Sequence, residues 1–253
     1  MHIPHAKPPW TGLGKKLESK TRKALFDFSM LENVQNIAVA LSGGKDSLTL
    51  LFLLKAISGR GFPPFQLSAI TVSGEYTCGA SIGENYLQAI CNELEVPLYF
   101  CQSTKTFDNL ECYGCSRERR SLIFNKAKSI GCHHIAFGHH RDDSAETLLM
   151  NLLHKAEFCS LLPKLYMVDY DITILRPLIY ASEEEIRAFA TLYGFNRITC
   201  KCPVGQTSLR KKTDELIDEM EKLFPNAREN LAQAGLIYGS QKATKAIKIG
   251  SIS

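Results

Sequence analysis

The 253-residue sequence predicts an α/β protein, a mainly parallel sheet sandwiched by helices, with helical additions at both ends. Three observations carry that expectation. Short apolar runs alternate with segments of helical period through most of the chain. The first run is apolar throughout rather than alternating, as in a strand buried on both faces. That run then breaks at Ser42-Gly43-Gly44-Lys45-Asp46-Ser47 and resumes at once as a helix, the kind of turn on which such sheets place a ligand.

Taken in order, residues 13–30 read as an amphipathic helix, with Leu17, Leu25 and Phe28 apolar and lysines opposite. Ile37 to Leu41 is a buried strand and Ser47 to Ile57 a helix. Phe65 to Val72 is the second strand, a helix follows near Asn85 to Leu94, and residues 97–102 form the third strand. Residues 116–131 read as a helix stopped by Gly131, and 133–140 as a fourth strand running into a polar turn. The helix from Ala145 to Ala156 follows Asp142-Asp143-Ser144, good capping types. A short strand at 172–178 precedes a helix at 182–194 with a capping box of Ser182 and Glu185. The implied organisation is a basic helical segment (1–30), a nucleotide-type α/β domain (31–205), a C-terminal helical segment (206–236) and a flexible tail (237–253), with residues 1–12 also expected to be mobile.

Hydrophobic content of 45% with 22% charge fits a globular chain with a real core. No apolar run approaches the roughly 18 residues of a membrane span, and the start lacks the apolar core of a secretion signal, so no membrane partner and a cytoplasmic setting are expected. The net charge of +4 is unevenly placed. Lys15, Lys16, Lys20, Arg22 and Lys23 are opposed only by Glu18, and Arg117, Arg119, Arg120, Lys126 and Lys128 only by Glu118. Such runs are commonly solvated helix faces; flanking a nucleotide site, they point instead to a polyanion such as RNA.

The glycine pair lets backbone amides face an anion, and the helix N-terminus behind it adds its dipole. Lys45 adds a point charge, and Ser42 and Ser47 add hydroxyl donors. Neither the G-x-x-x-x-G-K-[ST] nor the G-x-G-x-x-G spacing is present. The string instead resembles the SGGxDS signature of PP-loop ATP pyrophosphatases, of the adenine nucleotide alpha hydrolase-like fold. That resemblance implies that Ser42, Gly43, Gly44, Lys45, Asp46 and Ser47 hold the β,γ-phosphates of ATP, with AMP passing to an acceptor oxygen. Downstream, "GHHRDD" fits the second nucleotide-facing loop: Gly138 and His139 approach the nucleotide, and Asp142 or Asp143 offers carboxylate oxygen to Mg²⁺.

Nine cysteines without a secretion signal argue against a disulfide framework. Cys78, Cys91, Cys101, Cys132 and Cys159 stand alone and read as small core residues. Cys112-x-x-Cys115 opens a basic helix, and Cys200 and Cys202 follow far later. By spacing, the pairs suit a redox couple, part of a zinc site or ligands of an iron–sulfur cluster about equally.

Together, "SGGKDS", "CYGCSRERR", "GHHRDD", "LRPL" and "CPVGQTSLR" resemble the TtcA-like tRNA 2-thiocytidine synthetases, with the TtuA-like tRNA 2-thiouridine synthetases sharing the core. The resemblance runs from about Leu13 to about Leu236. It implies a [4Fe-4S] cluster on three cysteines. Cys112 and Cys115 match the first two, and Cys202, eight residues before Arg210 as in the family, matches the third. The third-ligand site reads Cys-x-Cys-Pro, nearer the thiouridine branch, whereas that branch's extra zinc-binding cysteine pairs are missing. The implied reaction is ATP-dependent replacement of a pyrimidine C2 oxygen of tRNA by sulfur, most simply at an anticodon-loop cytidine. Lys45, Asp142 and Arg119 are its catalytic candidates. A cysteine desulfurase or sulfide would supply the sulfur, and a homodimer is compatible with the family. The rivals are another PP-loop ligase, of the lysidine-synthetase kind, and a non-catalytic metal-containing RNA-binding module.

Overall fold

The computed structural model describes residues 4–74, 84–104, 112–195 and 209–239. Six strands form one sheet in the order β3-β2-β1-β4-β6-β5. These are β1 (Asn36–Ala40), β2 (Gln66–Ser73), β3 (Leu98–Gln102), β4 (His134–Ala136), β5 (Lys164–Met167) and β6 (Ile172–Leu175). Every pairing is parallel except that of the edge strand β5 with β6. The expected α/β architecture is present. The antiparallel edge strand is an addition to it; at four residues, half exposed and partly polar, it carries neither a long apolar run nor a clean alternation.

The chain crosses outward from β1 to β2 and β3, then returns to the other side of β1 to lay down β4 and β6. The reversal opens a crevice between the carboxyl ends of β1 and β4, where doubly wound sheets bind ligands. Alternate residues of β1 feed two cores. Ile37 and Val39 pack with α1 (Gly12–Asp27), α2 (Lys45–Ile57), α3 (Glu84–Glu93) and α6 (Glu183–Leu192). Ala38 and Ala40 pack with α4 (Cys112–Ser129) on the opposite face. Helix α2 is buried from Ser47 to Ile57 save for Lys55, which explains its near-continuous apolar sequence. Helix α5 (Arg141–Lys155) carries α7 (Leu209–Leu223) and α8 (Ala227–Tyr238) on a small core of Ala145, Leu149, Ile217 and Ala232. Among the described residues, no helix is long and apolar enough to cross a membrane.

Two local expectations are corrected. The N-terminal stretch is not loose over its described residues. Ala6 and Trp10 are buried, and Trp10 meets Phe189 and Tyr193 edge-on with ring centroids 5.6 and 5.8 Å apart. The α5 cap is His140 rather than the aspartates and serine after it. His140 Nδ1 accepts the Asp143 amide, and the Asp143 carboxylate accepts the His140 amide at 2.9 Å. This reciprocal box starts the helix at Arg141, four residues before the apolar periodicity begins.

Candidate active site

A cavity of about 490 Å³ opens at the switch point, within the range of small-molecule sites. The β1–α2 turn supplies Ser42, Asp46 and Ser47; the end of β4 supplies Phe137, Gly138 and His139; α5 supplies Asp143. Helix α4 contributes Ser116, Arg119, Arg120 and Ile123, and α7 contributes Arg210. Ala40, Ile70 and Val72 give it an apolar wall.

Gly43 sits at φ +79°, a conformation only glycine adopts cheaply, and Gly44 is the N-cap of α2 with no side-chain capping bond. The first-turn amides therefore lack the side-chain acceptor that usually satisfies them. The serines close the turn: Ser42 Oγ lies 3.2 Å from Ser47 Oγ and accepts the Gly44 amide at 3.3 Å, while Ser47 Oγ donates to the Gly44 carbonyl at 3.0 Å. Gly138 is required for space. A Cβ there would lie 2.9 Å from the carbonyl carbon of Asp46 and 3.0 Å from the Ser47 amide nitrogen. The two loops are thus in backbone contact.

The acidic residues divide by role. Asp46 lines the cavity, and its buried Oδ1, 3.0 Å from Lys45 Nζ, makes no aligned hydrogen bond. Asp143 also lines it, but one oxygen accepts the His140 amide and the other lies 2.6 Å from Arg210 Nη1. Asp142 does not line the cavity. Its Oδ1 accepts Arg141 Nε at 2.8 Å and its Oδ2 the Glu183 amide at 2.7 Å, tying α6 to α5. Lys45 stands just behind the cavity lining, with Nζ also 3.0 Å from Glu183 Oε1.

His139 is stacked on Phe137 at 5.6 Å, and its Nδ1 is buried without a partner. Burial, reinforced by the charge of Arg176, pushes its pKa down to about 3, so the ring is a neutral imidazole at ordinary pH. Arg176 follows the last residue of β6, is itself buried with an unpartnered Nε, and has its pKa pushed down to about 10, chiefly by burial. It is the arginine of "LRPL", and its position at the carboxyl end of a parallel strand is the signal that marks it in the sequence.

Arg210 joins α7 to this site, donating to Asp143 Oδ1 and, at 3.3 Å, to Thr147 Oγ1. Beside it Glu146 is buried, which together with Asp143 pushes its pKa up to about 8, while Arg210 at 3.6 Å opposes the shift. The folded carboxyl thus keeps its proton to about 8, whereas the reference value is 4.5. The folded state holds the extra proton across that window, so its stability falls as pH rises through it. Glu146→Gln should raise the melting temperature at pH 9 and leave it nearly unchanged at pH 5; equal shifts at both pH values would contradict a raised carboxyl pKa.

The two basic segments differ from one another. In α1, Lys16 and Lys20 pair with Glu185 at 2.9 and 2.7 Å, Arg22 with Glu18 at 2.6 Å, and Lys23 with Asp27. Most of that charge is neutralised within the fold, as in an ordinary solvated helix face. In α4, by contrast, Arg119 and Arg120 reach the cavity. Cys115 lies half-buried in the first turn of α4, one residue before Ser116 of the lining; Cys112 begins the helix. Cys78, Cys200 and Cys202 lie outside the described residues. Among the described residues, no three His, Cys, Asp or Glu side chains converge on a metal position. Cys91, Cys132 and Cys159 are buried and Cys101 is half-buried, as expected of core residues.

A doubly wound sheet with an uncapped glycine turn and a second loop pressed against it at the switch point defines a nucleotide-binding α/β protein of the PP-loop class. Residues 14–199 match the PP-loop domain family. A tRNA-cytidine(32) 2-sulfurtransferase of Geobacter sulfurreducens is 32% identical over 227 residues, covering 87% of this chain and 88% of that protein. One of Dechloromonas aromatica is 36% identical over 228 residues, covering 88% and 79%. The U34-tRNA thiolase NcsA of Methanococcus maripaludis, solved with its [4Fe-4S] cluster, superposes with a TM-score of 0.72 over 88% of this chain and 77% of its own. At 22% identity that likeness is one of fold. The chain belongs to the PP-loop family and, within it, to the family of the tRNA-cytidine(32) 2-sulfurtransferases.

Proposed function

We propose that this protein uses ATP to activate the C2 oxygen of a tRNA cytidine in the anticodon loop, at position 32 as in its relatives' names, and replaces it with sulfur. The observation that carries the reading is the sharing of one cavity. Ser42, Asp46 and Ser47 of the phosphate turn line it together with Ser116 and Arg119, which follow Cys112-x-x-Cys115 on α4.

An oxygen on a pyrimidine ring is a poor leaving group and is exchanged only after it has been converted to a phosphate ester. The free amides of the α2 N-terminus and the hydroxyls of Ser42 and Ser47 suit the β,γ-phosphates, and Ala40, Ile70 and Val72 suit the adenine. Lys45 offsets charge on the departing pyrophosphate. Arg119 and Arg120 on one wall and Arg210 on the other hold the substrate's phosphates and turn the target base toward the α-phosphorus. A base inside a stem does not reach such a pocket, so an unstacked loop nucleotide is the substrate. Neutral His139 presents a hydrogen-bonding ring without adding charge.

Two resident groups fit these residues. Asp46, with a buried oxygen lacking a hydrogen bond, is the better Mg²⁺ ligand than Asp142, whose oxygens are both engaged within the protein. Cys112 and Cys115 are i and i+3 in the sequence of one helix, and together with Cys202 they would be the three soft ligands of a [4Fe-4S] cluster. When bound, the metal supplies positive charge at phosphate oxygens and the cluster supplies a sulfur nucleophile. A cysteine desulfurase or free sulfide is the proposed sulfur source.

The deciding experiment is anaerobic reconstitution with ATP, Mg²⁺, sulfide and unmodified tRNA, followed by nucleoside analysis. Pyrophosphate and 2-thiocytidine should form in equal amounts. Pyrophosphate without any thionucleoside would favour another PP-loop ligase, and 2-thiouridine would move the target base.

A further inference from the structure

Glu183, the first residue of α6, turns its side chain toward the phosphate loop. Its Oε1 lies 3.0 Å from Lys45 Nζ and 3.0 Å from Arg187 Nη2. Its own amide is fixed on Asp142 Oδ2 at 2.7 Å, and Asp142, buried, is fixed in turn on Arg141 Nε. A continuous set of contacts therefore runs from Arg141 through Asp142 and Glu183 to Lys45 and Asp46, joining both loops of the switch point.

Lys45 thereby has two carboxylate partners. Its ammonium lies between Asp46 at 3.0 Å and Glu183 at 3.0 Å. Burial alone would favour the neutral amine, but the two carboxylates outweigh it and hold the charge in place. Asp46 lines the cavity, whereas Glu183 and Lys45 are not among the residues lining it. A polyphosphate that engages Lys45 therefore competes with Glu183 and Asp46 for the same ammonium.

We infer that Glu183 is a positioning residue, a resident counter-ion that competes with the nucleotide's phosphates for Lys45 and reclaims the lysine when pyrophosphate departs. The inference rests on the reading of Lys45 as a phosphate-binding group. It also gives Asp142 a role different from metal ligation, namely fixing the start of α6 so that Glu183 reaches across. The sign of the effect separates this role from a structural one. A carboxylate that merely braces α6 should, when neutralised, loosen the site and weaken nucleotide binding; a competitor should, when neutralised, strengthen it.

The test uses the full chain, calorimetric titration with the methylene analogue AMPCPP, and inhibition by inorganic pyrophosphate. Glu183→Gln keeps the side-chain shape and leaves the Ser182–Glu185 capping box intact. It should tighten AMPCPP roughly two- to fivefold, the range of one partly exposed ion pair, and strengthen pyrophosphate inhibition by a similar factor. In a Lys45→Met background the same substitution should change nothing. Unchanged or weaker AMPCPP binding by a variant that melts like the wild type overturns the inference, as does tightening that persists without Lys45. If Glu183→Gln melts lower, Glu183→Asp, which draws the charge back from Lys45 while keeping it at the helix start, decides by the same sign. Lys45→Met alone should weaken AMPCPP; if it does not, the reading of Lys45 itself fails, whatever Glu183 does.

Discussion

Alanine at Gly138 should raise the dissociation constant for ATP at least tenfold. The added methyl would stand 2.9 Å from the carbonyl carbon of Asp46 and 3.0 Å from the amide nitrogen of Ser47, and both obstacles are backbone atoms that no side-chain rotation moves aside. Overpacking of this kind costs about 1–3 kcal/mol, and here the relief available is displacement of the α2 N-terminus, whose amides are proposed to serve the phosphates. A shift of even half an ångström spoils several donors at once. Gly131 provides the contrast. It sits at φ +70° with open space around its missing Cβ, at the end of α4. Alanine there carries a backbone penalty of about 1 kcal/mol and should lower the melting temperature while leaving ATP affinity alone. Calorimetric titration of both variants with AMPCPP makes the comparison. Equal affinities would show that the contact between the two loops has no bearing on the nucleotide site.

The same region marks how far the sequence can be read. Gly43 announces itself, because two adjacent glycines between an apolar strand and an apolar helix mean a turn built for close approach to the backbone. Gly138 is legible as a point of close approach, yet its partner is the Asp46–Ser47 backbone, and a contact across 92 positions leaves no local trace. Helices and parallel strands are legible because burial imposes periodicity. The start of α5 is not, because an imidazole nitrogen, rather than a carboxylate or hydroxyl, accepts the capping amide. The division of labour among Asp46, Asp142 and Asp143 is beyond the sequence, since all three are acidic residues at helix starts after strand ends. Only the fold decides that Asp142 faces Arg141 and Glu183 while Asp46 faces the cavity. Glu183 itself is hidden inside a run of three glutamates that already reads well as a helix N-terminus.

Charge shows the limit most plainly. The α1 and α4 segments look alike in composition, but Glu185, 165 residues after Lys20, buries its carboxylate under two of the α1 lysines. Removing Lys16 and Lys20 together would therefore take both ion-pair partners from a half-buried anion before it revealed anything about RNA. The arginines of α4 that line the cavity are the more informative probes, because a loss of tRNA binding there should be accompanied by a reduction in salt dependence.

Serine at Cys115 should abolish thionucleoside formation, a loss of more than about a hundredfold, while leaving AMPCPP affinity at the wild-type value. A serine hydroxyl stays protonated near neutral pH and is a hard donor, so it does not replace a thiolate on iron. Cys115 is not among the cavity-lining residues, whereas Ser116, Arg119 and Arg120 are, so the nucleotide site survives the change. Anaerobic iron analysis should fall in step with activity. Cys132→Ser is the matched control. Cys132 is buried, donates to the His134 carbonyl and has its pKa raised by burial, the profile of an inert core thiol. It should cost stability without touching iron content or thiolation. The contrast between the two serines separates the readings that share this fold: a PP-loop ligase that adenylates without sulfur chemistry has no use for Cys115 and would treat both substitutions alike. Thiolation that persists in Cys115→Ser would overturn the proposed cluster at this end of α4, and with it the reason for a cysteine pair to open a helix whose next turn lines the proposed ATP cavity.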